Sequence, residues 1–100
     1  MNIHTNENSL HVSEVPELNA TTAGAFRDQI KSGLQPSHTH IDLDLSQTKF
    51  LDSSGLGALI SVHKIMSSRK GVVRIINPTT QVQQILELTR MHRIFEIVRN

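Results

Sequence analysis

The chain has no cysteine, tryptophan or tyrosine, and only three phenylalanines. Without cysteine, disulfides, thiol catalysis and thiolate zinc sites are excluded, and a reducing compartment is compatible. With so few rings there is no stacking platform for bases. An excess of one charge is missing too. Ten Lys and Arg face nine Asp and Glu, a formal net charge of +1, and the cations are scattered. No field that would gather nucleic acid follows from this, so none is expected as a partner. No apolar run approaches the roughly 18 residues that a membrane span requires, so no membrane partner is expected either. The opening MNIHTNENS is polar and lacks the apolar centre of a secretory signal, which predicts a cytoplasmic protein. Asn19-Ala20-Thr21 matches a glycosylation sequon, but without a secretory route the match is a chance one.

What is present suits one globular domain over residues 1–100, with 37% hydrophobic and 19% charged residues. Ile3, then Leu10 and Val12, alternate with polar residues around Asn6-Glu7-Asn8, the pattern of a β-hairpin. Pro16 ends the second strand. Asn19, Thr21 and Thr22 are all capable N-caps for a helix whose stripe is Ala23, Phe26, Ile30 and Leu34, closed by Gly33 and Pro36. His40 to Ser46 alternates, with Ile41, Leu43 and Leu45 on one face, and predicts a strand covered on one side. A strand is expected to end near Leu51. The next helix starts near Ser54, and Leu56, Leu59, Ile60 and Met66, widened by Ala58, Val62 and Ile65, make it apolar over much of its girth. Val72 to Ile76 is a β-branched strand. Thr80 and Gln83 have capping-box spacing before a third helix with Val82, Ile85 and Leu86. Ile94 to Val98 closes the chain as a strand. The order predicts an α/β domain with a mixed sheet, an N-terminal hairpin and three helices mainly on one face.

Between strand and helix lies FLDSSGLGAL, residues 50–59. This is the carboxyl end of a strand, where α/β folds meet ligands and partners. Ser53 or Ser54 is expected to cap the helix, and Asp-Ser-Ser is good capping chemistry. Gly57 argues for more than a cap. Inside a helix, glycine costs about 1 kcal/mol relative to alanine, and close approach of another chain would explain tolerating it. Gly55 is expected to share that role.

Enzymatic readings are weak. A nucleophile elbow needs Gly-x-Ser-x-Gly, and Asp52 stands two before Ser54. His63 is more than two turns further along the helix. Gly55-Leu56-Gly57 lacks the third glycine of a dinucleotide fingerprint, where Ile60 stands, and no P-loop exists. His38-x-His40 offers two imidazoles on one strand face, but no third ligand is in view. No catalytic residue, metal or cofactor is therefore expected.

The run Asp42-Leu-Asp-Leu-Ser-(x)4-Leu51-Asp52-Ser53-Ser54-Gly55-Leu56-Gly57 resembles the signature of STAS domains, specifically small stand-alone anti-sigma factor antagonists. The resemblance extends to Ala23-(x)2-Phe26-Arg27, the Asn77-Pro78 turn, and Leu88-Thr-Arg-Met91-(x)3-Phe95-Glu-Ile97. It implies a phosphorylation-controlled, non-enzymatic partner switch. Ser54 would be phosphorylated by a GHKL-type serine kinase that doubles as anti-sigma factor, and a PP2C-type phosphatase would reverse it. The unphosphorylated form would sequester the kinase and release its client. Docking is expected on Asn19, Thr21 and Thr22, on Asp52, Ser53, Gly55, Leu56 and Gly57, and on Ser61 and Lys64 of the central helix. The alternative is a constitutive STAS subunit of a transport or sensory complex. Two departures stand out. Asn19 occupies a position where an Asp is frequent, and Arg90 replaces a small Gly before Met91.

Overall fold

The computed structural model describes residues 1–100. A five-stranded sheet runs in the order β1 (Asn2–Thr5), β2 (Ser9–Ser13), β4 (His40–Asp44), β6 (Val72–Ile76) and β7 (Glu96–Val98). β1 pairs antiparallel with β2, and every other neighbour is parallel. The hairpin is closed by the Asn6 N–H donating to the Ser9 carbonyl at 2.9 Å. The sheet is mixed for the reason the element order implies: a two-strand turn gives an antiparallel pair, and helical crossovers give parallel ones.

Three helices connect the strands: α1 (Ala23–Gly33), α2 (Ser53–Ser68) and α3 (Thr80–Leu88). Leu10, Val12, Ile41, Leu43, Val73 and Ile75 point to the helical side, and all are essentially inaccessible. They meet Phe26 and Ile30 of α1, Leu59, Val62 and Met66 of α2, and Val82 and Leu86 of α3. Each such side chain contributes about 1.5–3 kcal/mol on burial, so this one core dominates the stability.

The other sheet face carries a row of ionisable side chains in register: His4, His11, Asp42, Arg74 and Glu96. Asp42 is nearly buried, at 8% exposure. It accepts two hydrogen bonds from Arg74, from Nε at 2.6 Å and from the terminal nitrogen at 3.0 Å. That pairing offsets the cost of burying the carboxylate. The hydrogen bond to Asp42 holds the Arg74 guanidinium above its usual range, with the charges of Asp42 and Glu96 adding to the effect and burial opposing it.

Several elements depart from the expected bounds. β2 stops at Ser13, before Pro16, because Glu14 takes a left-handed backbone at φ 56. The third main-sheet strand ends at Asp44 rather than Ser46. Thr79, not Thr80, caps α3, accepting from the Val82 N–H. The final strand begins at Glu96, because a 3-10 turn over Met91–Arg93 and the buried Phe95 precede it. His38 is fully buried ahead of β4, its Nδ1 accepting from the Gln35 N–H at 3.1 Å. It therefore does not share a strand face with His40.

A second, separate sheet pairs two short parallel strands, β3 (Glu17–Leu18) and β5 (Phe50–Leu51). β3 was not expected, since two residues carry no periodicity. This small sheet sits against the helices and sets Leu18 beside Leu51, both buried. Buried Thr48 anchors its approach. Its hydroxyl donates to the Val15 carbonyl, while its own carbonyl accepts from the Thr79 hydroxyl at 2.8 Å.

Candidate functional site

β3 leads into residues 19–22 and β5 leads into Asp52, so the pairing of Leu18 with Leu51 brings both segments to one place. The Asp52 N–H donates to the Leu18 carbonyl at 3.1 Å. One Asp52 carboxylate oxygen, Oδ1, accepts from the Gly55 N–H at 2.9 Å. The other, Oδ2, accepts from the Ala20 N–H at 3.2 Å. A single side chain thus caps α2 and holds the neighbouring loop.

This corrects the expectation that Ser53 or Ser54 would be the N-cap. Asp52 has the extended backbone (φ −107°, ψ −172°) that an N-cap requires, and helical geometry starts at Ser53. A carboxylate at that point also complements the positive helix end. Asp52 does not orient the serine hydroxyls, because both its oxygens face backbone N–H groups. Ser53 and Ser54 occupy the first two helical positions. Both are exposed, and their hydroxyls engage no protein group.

The glycines divide differently from expectation. Gly55 is buried, and a Cβ there would overlap the Leu18 carbonyl oxygen and carbon. Its close approach is internal, to β3 of the same chain. Gly57 is exposed, with nothing within 4 Å of where a Cβ would stand. Leu56 is half-buried against the core. Of the two helix positions expected on the docking face, Lys64 is exposed and Ser61 half-buried.

The loop over 19–22 is organised by Asn19. Its Oδ1 accepts from the N–H groups of Thr21 and Thr22 at 2.9 and 3.2 Å, an Asx-type turn ahead of α1. Its Nδ2 donates to the Glu17 carboxylate at 3.1 Å. The Asn19 N–H in turn donates to the Thr22 hydroxyl at 3.0 Å. An aspartate could make the first pair of bonds but would repel Glu17, so the amide is the better partner in this chain. None of the hydrogen bonds of Asn19 goes to Ser54. Thr21 is exposed and Thr22 half-buried.

Neither serine hydroxyl is hydrogen-bonded to an acid–base side chain. His63 packs edge-on against Phe95, with ring centroids 5.8 Å apart. No cluster of three or more His, Asp or Glu is arranged to hold a metal ion, and no helix is long and apolar enough to cross a membrane. What the site presents is two free hydroxyls on a helix N-terminus, the exposed helical face at Gly57, and a second loop fastened alongside.

Comparison with known proteins agrees with this geometry. The family model for the STAS domain matches residues 1–100. An anti-sigma F factor antagonist of Paenibacillus polymyxa is 28% identical over 85 residues, covering 84% of this chain and 73% of the relative. A Thermotoga maritima protein provisionally named an anti-sigma factor antagonist is 32% identical over 82 residues, covering 81% of this chain and 73% of its own length. The crystal structure of a Thermotoga maritima protein with that provisional name superposes with a TM-score of 0.89 at 25% identity, covering 99% of this chain and 85% of the other. The unphosphorylated anti-sigma factor antagonist SpoIIAA shares the fold with a TM-score of 0.84 at 16% identity, covering 99% of this chain and 86% of that one. From the paired loops around Asp52 to the end-to-end family match, the chain belongs to the STAS domain family.

Proposed function

We propose that this protein is an anti-sigma factor antagonist whose binding to a partner is switched by phosphorylation of Ser54. The observation that carries the reading is Ser54 itself. Its hydroxyl is exposed and unengaged in the first turn of α2, within Asp52-Ser53-Ser54-Gly55-Leu56-Gly57. Two relatives, the Paenibacillus and Bacillus subtilis proteins, are named anti-sigma factor antagonists. SpoIIAA, which has the same fold, has been solved in unphosphorylated and phosphorylated forms.

The partner in this reading is a GHKL-type serine kinase that also serves as anti-sigma factor, with a PP2C-type phosphatase restoring the hydroxyl. This chain presents a substrate serine and the kinase supplies nucleotide, metal and base. A phosphoryl group adds about −1.5 to −2 charges at pH 7. Within the domain it is tolerated, since the N–H groups of the first helical turn favour an anion there. The cost falls on the interface, where the dianion and the neighbouring Asp52 would be desolvated together. Desolvating such charge costs several kcal/mol, and about 4 kcal/mol already lowers affinity roughly a thousandfold. The unphosphorylated form binds and sequesters the kinase, and the client of the kinase is released.

The test is equilibrium binding of a purified GHKL-type serine kinase from the same organism. Ser54→Ala is expected to bind as the unphosphorylated protein does, and Ser54→Glu to lose binding. Equal binding by both variants would end the reading.

A further inference from the structure

Of the three phenylalanines, Phe26 and Phe95 are buried at 3% and 5% exposure, but Phe50 is 53% exposed. It stands on β5, in register with Glu17 of β3, while Leu18 and Leu51 of the same pair turn into the core. An apolar ring held outward on a paired strand, two residues before the Asp52 cap, is unused by anything inside the domain. Beside β3 lies an open groove of about 300 Å3. Buried Val15 and Phe26 line it, exposed Ala25 stands on α1, and Glu17, Thr21 and Thr22 border it. Glu17 therefore flanks both the ring and the groove. The loop from Asn19 to Thr22 joins them to the Ser54 turn through the Ala20–Asp52 hydrogen bond.

We propose that Phe50 and this groove form a paired docking surface, a knob and a hole, for the same partner that engages Ser54. This deepens the function proposed above and rests on it. The partner surface that fits carries an apolar pocket for the phenyl ring and, beside it, an apolar side chain of leucine or methionine size for the groove. Continuity with the switch argues for one occupant, since the groove border, the 19–22 loop and the α2 N-terminus form one fastened unit. An aromatic anchor set among polar side chains is the arrangement in which interface energy concentrates. Ser54 then governs whether binding is allowed, and Phe50 with the groove governs which partner is accepted.

The experiment measures calorimetric binding of the same purified kinase to five forms: wild type, Ser54→Glu, Phe50→Ala, Phe50→Leu and Ala25→Arg. Circular dichroism checks the fold of each. Phe50→Ala is expected to weaken binding about thirtyfold, Ala25→Arg about tenfold by filling the groove, and Phe50→Leu less than fivefold. Unchanged affinity in both Phe50→Ala and Ala25→Arg, while Ser54→Glu still loses binding, overturns the docking surface and leaves the switch standing. Loss in those two variants with Ser54→Glu binding normally supports the surface and overturns the switch. No binding by wild type overturns both.

Discussion

The Asp52 carboxylate accepts from the Ala20 N–H across 32 positions of sequence, at 3.2 Å. That bond links the end of β3 to the start of α2, while the same side chain caps the helix through Gly55. Asp52→Ala removes both bonds. The expected loss is about 1–2 kcal/mol of stability in urea unfolding, the range for a lost N-cap plus one further hydrogen bond. Amide exchange at Ala20 should accelerate at the same time. Slow exchange at Ala20 in the variant would show that the loop is held by Asn19 alone.

Gly55 and Gly57 should part company on substitution. Gly55→Ala forces a Cβ into the Leu18 carbonyl, which is backbone and cannot step aside. It is expected to cost more than about 2 kcal/mol, as overpacking does. Gly57→Ala meets open space and should gain up to about 1 kcal/mol of helix propensity. Thermal unfolding of the two variants separates them directly.

Much of this was legible in the sequence, and the reasons are specific. The alternation of Ile41, Leu43 and Leu45 and the broad apolar girth of α2 announced a one-sided sheet under helices, because burial acts on many residues at once. The motif at Ser54 was visible through its resemblance to the STAS signature, which the residues Asp52 to Gly57 carry in one short run. β3 was invisible, since two residues make no pattern, yet its pairing with β5 decides what lies beside Ser54. The sequence alone points to a serine cap, because Asp, Ser and Ser are all good caps in a row. Only the extended backbone of Asp52 decides among them. Which glycine packs internally was equally hidden, because the carbonyl it meets comes from Leu18, far away in sequence. Phe50 lies in the FLDSSGLGAL run, but nothing in the pattern distinguishes an exposed ring from a buried one.

Arg90 follows the end of α3 at φ 61, a left-handed conformation in which glycine is free and a side chain is strained. Left-handed backbone costs an L-residue roughly 1–2 kcal/mol, and glycine's extra unfolded-state freedom takes back about half of that. Arg90→Gly is therefore expected to stabilise the domain by about 0.5 kcal/mol, read as a higher urea midpoint at unchanged slope.

Arg74 is the sole arginine holding the nearly buried Asp42. Arg74→Met leaves that carboxylate facing only His11 at 3.7 Å. With Arg74 partly exposed, solvent screens the loss, and about 2 kcal/mol of destabilisation is expected at neutral pH. The guanidinium is raised above an ordinary value that already lies beyond physiological pH. Its contribution is fully present below that ordinary value and is lost only as pH climbs through the higher folded value. Stability between neutral and mildly alkaline pH should thus show no step from this arginine, which denaturant midpoints across that range will check.

In the function proposed above, Ser54 is a substrate, presented by α2 to a partner's chemistry. Intact-mass measurement after incubation with ATP, magnesium and that GHKL-type kinase tests this most directly. A gain of one phosphoryl group in wild type, located at Ser54 by peptide fragmentation and absent from Ser54→Ala, is the predicted result. No gain in wild type, or an equal gain in Ser54→Ala, would show that Ser54 is not the kinase's substrate.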